Sequence, residues 1–106
     1  MKKVYKICVF VPEKFAEKVR NAMENAGVGK IGNYSHCTFS TTGIDRFMPL
    51  AGSKPAIGEI NKISKTRTEK IEAICEIDNL ENAFSAIKSV HPYEEVMIDV
   101  WEIMIG

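Results

Sequence analysis

The densest group of chemically capable side chains in the sequence is His91-Pro92-Tyr93-Glu94-Glu95, an imidazole, a phenol and two carboxylates within five positions. Imidazole and carboxylate together suit a divalent metal ion, and a histidine at a helix C-terminus, where the dipole favours the cation, suits an anion. The plainer alternative is structural: His91 caps the last carbonyls of a helix, and Glu94 and Glu95 enter a strand with one side chain on each face. A second group, Tyr34-Ser35-His36-Cys37, sets a histidine beside a thiol. Adjacent side chains on a regular strand point to opposite faces, so His36 and Cys37 cannot share a metal or act as nucleophile and base unless a bulge intervenes. His36 keeps Tyr34 and Thr38 on its own face, or ligands from another strand or subunit. Lys54, Lys62, Lys65, Arg67 and Lys70 suit phosphate or carboxylate ligands, with Gly52 and Gly58 admitting close backbone approach. No Walker or dinucleotide fingerprint accompanies them, and a solvated charged loop is the default reading. No Ser-His-Asp order, His-Glu-x-x-His motif or two-metal carboxylate cluster occurs. Trp101, with Met97 on its face, reads as core or subunit interface rather than a stacking platform.

The elements that must position these groups follow from periodicity. Residues 4–11 are β-rich and apolar on both faces, which predicts a central strand. Pro12 and Glu13 suit a helix start, and Phe15, Val19, Met23 and Ala26 recur at helical spacing before Gly27, so a helix of about 14 residues is expected there. Alternation over residues 31–40 predicts a second strand, with Ile31, Cys37 and Phe39 opposite Tyr34, His36 and Thr38. Thr41-Thr42-Gly43 reads as a turn into a short extended run over 44–48, an additional hairpin. Residues 50–66, with Gly52, Pro55 and Gly58, form a long loop expected to be the most mobile part of the chain. Residues 69–77 alternate as a half-buried strand. Asp78 and Glu81 form an acidic variant of a capping box ahead of a helix whose stripe is Leu80, Ala83, Phe84, Ile87 and Val90. His91-Pro92 stops that helix, and residues 96–105 make a final strand. Each half places a helix between two strands, so right-handed crossovers predict an α+β, ferredoxin-like βαββαβ sandwich with both helices on one face.

Composition narrows the classes. The 106 residues, 45% of them hydrophobic, describe a single domain over 1–106 that closes one core without staples. Fourteen basic residues balance fourteen acidic ones, so no overall positive charge favours nucleic acid. The apolar run at 4–11 is interrupted by Lys6 and stopped by Pro12, too short for a signal-peptide core or a membrane span, which predicts a cytoplasmic protein with no membrane contact. Cys8, Cys37 and Cys75 are odd in number and far apart, and encode neither a disulfide framework nor a zinc knuckle.

Gly32-Asn33-Tyr34-Ser35-His36-Cys37-Thr38-Phe39-Ser40, Gly43 with Phe47 and Pro49, Gly52-Ser53-Lys54-Pro55, Ile57-Gly58-Glu59 and His91-Pro92-Tyr93-Glu94-Glu95, in that order over nearly the whole chain, resemble the inserted domain of the YqfO branch of the Nif-three-like family. The resemblance implies a ferredoxin-like fold similar to the CutA and PII proteins, and a homotrimer. Family members carry two flanking lobes with a dinuclear metal site; this chain matches only the insert, as a free-standing version would, and a hydrolase-like activity of those lobes does not transfer. Asn61 stands where the family pattern tends to glycine and Lys70 where it tends to arginine, while Glu72 is kept; position 70 thus offers an ammonium rather than a bidentate guanidinium. By analogy with PII, residues 41–66 occupy the place of a regulatory loop, between the second and third core strands, and the ligand site is a subunit-interface cleft. By analogy with CutA, a divalent metal is bound by residues such as His36, His91, Glu94 or Glu95. The expectation is therefore a non-catalytic, trimeric, ligand- or metal-responsive module, its site drawn from Tyr34, His36, Lys70, Glu72, His91, Tyr93, Glu94 and Glu95. The alternatives are an oligomerisation or partner-docking domain, and a small enzyme using His36 or His91 as acid or base.

Overall fold

The computed structural model describes all 106 residues. Strand β1 (Lys2–Pro12) leads through a 3-10 turn (Glu13–Phe15) into helix α1 (Ala16–Asn25); β2 (Thr38–Phe47) and β3 (Ser64–Cys75) follow. A second 3-10 turn (Ile77–Asn79), helix α2 (Leu80–Val90) and β4 (Ile98–Ile105) complete the chain. The strands form one antiparallel sheet in the order β2-β3-β1-β4, the expected α+β, ferredoxin-like arrangement. No helix is long and apolar enough to cross a membrane.

β1 is central because both its faces are apolar. Ile7, Val9 and Val11 join Ala16, Val19 and Met23 of α1, Ala83 and Ile87 of α2, and Ile71, Ala73 and Cys75 of β3 in the core, while Val4 and Cys8 are buried on the opposite face. α1 ends at a left-handed Gly27 (φ +93°), where a Cβ would stand 2.7 Å from the Asn79 side-chain nitrogen, so only glycine lets the two helical ends approach. α2 ends as expected: His91 is extended (φ −72°, ψ 136°), the conformation imposed on a residue before proline.

Several local expectations are corrected. Residues 31–37 are not a strand. Ile31 and Tyr34 exchange backbone hydrogen bonds of 2.8 and 2.9 Å across a tight turn, His36 has φ +63°, Cys37 N–H bonds to the Gly29 carbonyl, and the chain enters the sheet only at Thr38, opposite Ala73. Three apolar residues spread over nine positions are too few to hold a strand down against Gly32 and Asn33. Thr41-Thr42-Gly43 is no turn but the middle of β2, paired with Lys70, Glu69 and Thr68, so the additional hairpin is absent and β2–β3 is itself one long hairpin. β3 starts at Ser64 rather than 69, since Lys65, Thr66, Arg67 and Thr68 are polar on both faces and show no apolar alternation. The capping box does not form: a 3-10 turn occupies Ile77–Asn79 and α2 has no side-chain cap. The first helix likewise opens as a 3-10 turn, leaving ten residues of α-helix.

Two consequences of the register shape the function. β1 pairs with β3 no further than Pro12–Thr68 and with β4 no further than Val9–Ile98, whereas β2 and β3 pair on to Phe47–Ser64. The hairpin therefore overhangs the sheet, in a molecule of 47 × 23 × 22 Å. The helices cover only one sheet face. The other, which no helix covers, carries Phe39, Lys70, Glu72, Ile74, Lys6, Asp99 and Trp101; Phe39 is 66% and Trp101 43% exposed.

Candidate functional site

His91 is 7% exposed, and its ring reaches across to β1. Nε2 lies 2.7 Å from the Phe10 carbonyl oxygen, and Nδ1 lies 3.1 Å from the Tyr93 backbone nitrogen. A carbonyl can only accept and an amide N–H only donate, so Nε2 carries the proton and the ring is neutral. Burial pushes its pKa below the ordinary value, against the weaker pull of the Phe10 carbonyl and Asp45. Two expectations are thereby corrected. The helix end does not hold an imidazolium, because desolvation outweighs the dipole, and the side chain does not cap α2's last carbonyls, because it is turned to β1. Glu94 and Glu95 precede β4 in irregular backbone rather than beginning it. Glu94 Oε1 instead accepts a 2.7 Å hydrogen bond from the Lys54 backbone N–H.

That bond ties the long loop, residues 48–63, to the segment 91–97. The loop is further ordered by Asn61 N–H to the Pro49 carbonyl (2.7 Å) and Ser53 Oγ–H to the Leu50 carbonyl (2.7 Å). Between loop and segment lies a cleft of about 610 Å³. β1 contributes Phe10; β2 contributes Asp45, Arg46 and Phe47; the loop contributes Met48, Leu50 and Pro55; the segment contributes Tyr93, Glu94, Glu95 and Met97. The Tyr93 ring meets the edge of Phe47 at 5.8 Å between centroids and lies 5.1 Å from the His91 ring. Its hydroxyl is buried without a well-formed hydrogen bond. Burial raises the Tyr93 pKa and the nearby Asp45 carboxylate adds to it, with Thr66 opposing. A smaller recess of about 190 Å³ lies alongside, between Thr41, Asp45, Thr68 and Lys70.

The structure thus gathers Tyr93, Glu94 and Glu95 at the cleft, with His91 behind them as the group that pins the segment. Lys70 stands opposite Phe10 and Thr41 and lines the smaller recess; Glu72 stands opposite Cys8 and Phe39 on the open sheet face. Tyr34 and His36 line neither recess. Tyr34 is exposed, and His36 has Nδ1 2.7 Å from Ser35 Oγ and Nε2 3.9 Å from Glu24 Oε1. No three His, Cys, Asp or Glu side chains gather to hold a metal ion. With both ring nitrogens of His91 engaged, the expected set of His36, His91, Glu94 and Glu95 does not fit a divalent metal within one chain. The sequence reading missed Phe10, Asp45, Phe47, Met48 and Met97. The one available signal was Pro49 with Pro55, which stiffen a loop long enough to fold back.

No family model matches the chain. It is 41% identical over 98 residues to a Bacillus subtilis protein named GTP cyclohydrolase 1 type 2 homolog, a match covering 92% of this chain and 26% of that protein. A Bacillus cereus protein related to NIF3 superposes with a TM-score of 0.82 at 38% identity, over 96% of this chain and 26% of the other. The chain therefore spans about a quarter of the length of the proteins it matches in sequence. The divalent cation tolerance protein CutA of Archaeoglobus fulgidus superposes with a TM-score of 0.68 at 13% identity, over 99% of this chain and 87% of CutA, a likeness of fold alone.

Proposed function

We propose that the chain is a non-catalytic, homotrimeric binding module that takes a small ligand in the cleft between the overhanging hairpin and residues 91–97, and relays its occupancy to a protein partner through the loop at the hairpin tip. The observation that carries this reading is the meeting of two distant segments, joined by the Lys54–Glu94 bond, around one largely apolar cleft of about 610 Å³. That volume falls in the range usual for small-molecule sites, and apolar walls with a few polar groups are their usual lining. The trimer is supported by the uncovered sheet face, whose aromatic and aliphatic side chains need a partner layer, and by the fold likeness to CutA. Docking without any ligand is the second reading, and the same open face favours it. An acid or base role for His91 is disfavoured by its two occupied nitrogens, and one for His36 by its place outside both recesses. The relatives' name speaks of a cyclohydrolase, but this chain covers 26% of such a protein, and we assign it no such activity. The three free cysteines accord with a cytoplasmic protein.

Native mass spectrometry of protein purified without chelator tests the reading, alongside Met97→Trp, which fills the cleft at a residue that is 65% exposed. A trimer that keeps a small-molecule adduct, lost in Met97→Trp, is the expected result. A bare monomer would overturn the trimer, and an adduct indifferent to Met97→Trp would overturn the placement of the site.

A further inference from the structure

Resting on the cleft reading above, we infer that its ligand is a small organic cation, an ammonium group carried on an apolar body. The walls are mainly hydrophobic, from Phe10, Phe47, Met48 and Met97, so an ion with a full hydration shell gains nothing from them. Three carboxylates line the same space, Asp45, Glu94 and Glu95, against one cation, Arg46. Arg46 borders the cleft but is rooted on the other face of β2 from Asp45 and Phe47, and it makes no ion pair with any of the three carboxylates.

Asp45 and Glu95 take part in none of the molecule's ion pairs, while Glu94 is already bonded to the loop backbone. Two carboxylates thus face an apolar cleft without a counterion. The Tyr93 hydroxyl, buried beside Asp45 and Thr66 without a well-formed hydrogen bond, adds a neutral acceptor that an N–H donor would satisfy. The edge-packed rings of Phe47 and Tyr93 make an aromatic corner, and aromatic rings attract cations as well as apolar groups. A phosphate or carboxylate ligand meets the wrong sign here. A bare divalent ion finds no three ligating side chains together. Only a ligand that combines positive charge with apolar surface uses both kinds of wall.

Three probes of one shape separate charge from cleft: benzylammonium, benzyl alcohol and benzoate, titrated into the intact protein near pH 7. The methionine methyl NMR signals of Met48 and Met97 report on the cleft, and calorimetry gives the affinities. Benzylammonium is expected to shift both methyls and to bind about tenfold more tightly than benzyl alcohol, the ratio that one charge-assisted contact supplies, with benzoate weakest. Asp45→Asn and Glu95→Gln are each expected to weaken benzylammonium severalfold and leave benzyl alcohol unchanged. Glu95 is exposed, so its variant is read without concern for folding. Equal binding of amine and alcohol, or tightest binding of benzoate, would overturn the cation inference while the cleft stands. No shift of either methyl with any probe at millimolar concentration would overturn both.

Discussion

Replacing Tyr93 by phenylalanine removes one oxygen and nothing else. That oxygen is buried and without a well-formed hydrogen bond, so the folded chain bears the desolvation of a hydroxyl with no return. An unsatisfied buried polar group costs about 1–3 kcal/mol, and the nearness of Thr66 argues for the lower end, about 1 kcal/mol. The ring contacts to Phe47 and His91 survive the substitution. Tyr93→Phe should therefore stabilise the protein by about 1 kcal/mol, which for a domain of this size raises Tm by about 4–8 °C. Urea and thermal unfolding at one fixed protein concentration measure this, because self-association makes midpoints concentration-dependent. The urea m-value should not change, since the exposed area does not. A Tm lowered by a comparable amount would mean that the hydroxyl is well bonded in solution, and the argument from an unpaired group would fail. A stabilised variant that binds benzylammonium less well would mark Tyr93 as a residue kept at a cost in stability.

Other expectations follow from particular contacts. Because burial holds the folded pKa of His91 below the unfolded value of about 6.5, the unfolded chain binds more protons; stability is full above about pH 6.5 and declines as pH falls toward the folded value. Urea midpoints between pH 5 and 7 should show this decline, and His91→Gln should lessen it; an unchanged slope would absolve His91. Gly29→Ala places a Cβ 2.8 Å from the Cys37 carbonyl oxygen at φ +87° and should cost about 2–3 kcal/mol, whereas Gly32→Ala, with φ +56° and open space, should cost about 1 kcal/mol. Equal losses in urea unfolding would contradict that geometry. Arg20 and Glu69, 2.7 Å apart with side chains only 19% and 16% exposed, should show a coupling of about 1–2 kcal/mol in a double-mutant cycle. Exposed Arg67–Glu13 should show a smaller coupling, and the reverse order would refute the burial argument. Trp101→Lys should dissociate the proposed trimer on size-exclusion chromatography without lowering helix content.

The two-layer fold was legible because its strongest signals are local: the double-sided apolar run of β1, the stripe of α2, and the backbone constraint before Pro92 that ends α2 at Val90. Signals failed where polarity hid an element or mimicked one. Lys65 to Thr68 are strand without apolar alternation, and residues 31–37 alternate without being strand, since a left-handed His36 cannot be read from its neighbours. The His91 to Glu95 group was recognisable as important, yet its electrostatics were inverted, because burial against β1 overrides the helix dipole and sequence does not report burial. The cleft itself was invisible. Its walls come from Phe10, residues 45–57 and residues 93–97, and their meeting depends on the overhang of β2–β3 past the end of β1, a matter of strand register rather than of any local pattern.

The place of β1 in the sheet also bears on how the chain is made. Of the four strands, β1 is made before the others and must end between two of them, yet β3 begins at Ser64 and β4 at Ile98. Until β3 emerges, β1 is a nascent strand, apolar on both faces, with two unpaired edges, the kind of segment that recruits foreign strands or chaperones. Once β3 arrives one edge closes, but eight residue pairs with β4 remain to be made, so translation arrest before Ile98 should leave a species prone to aggregation.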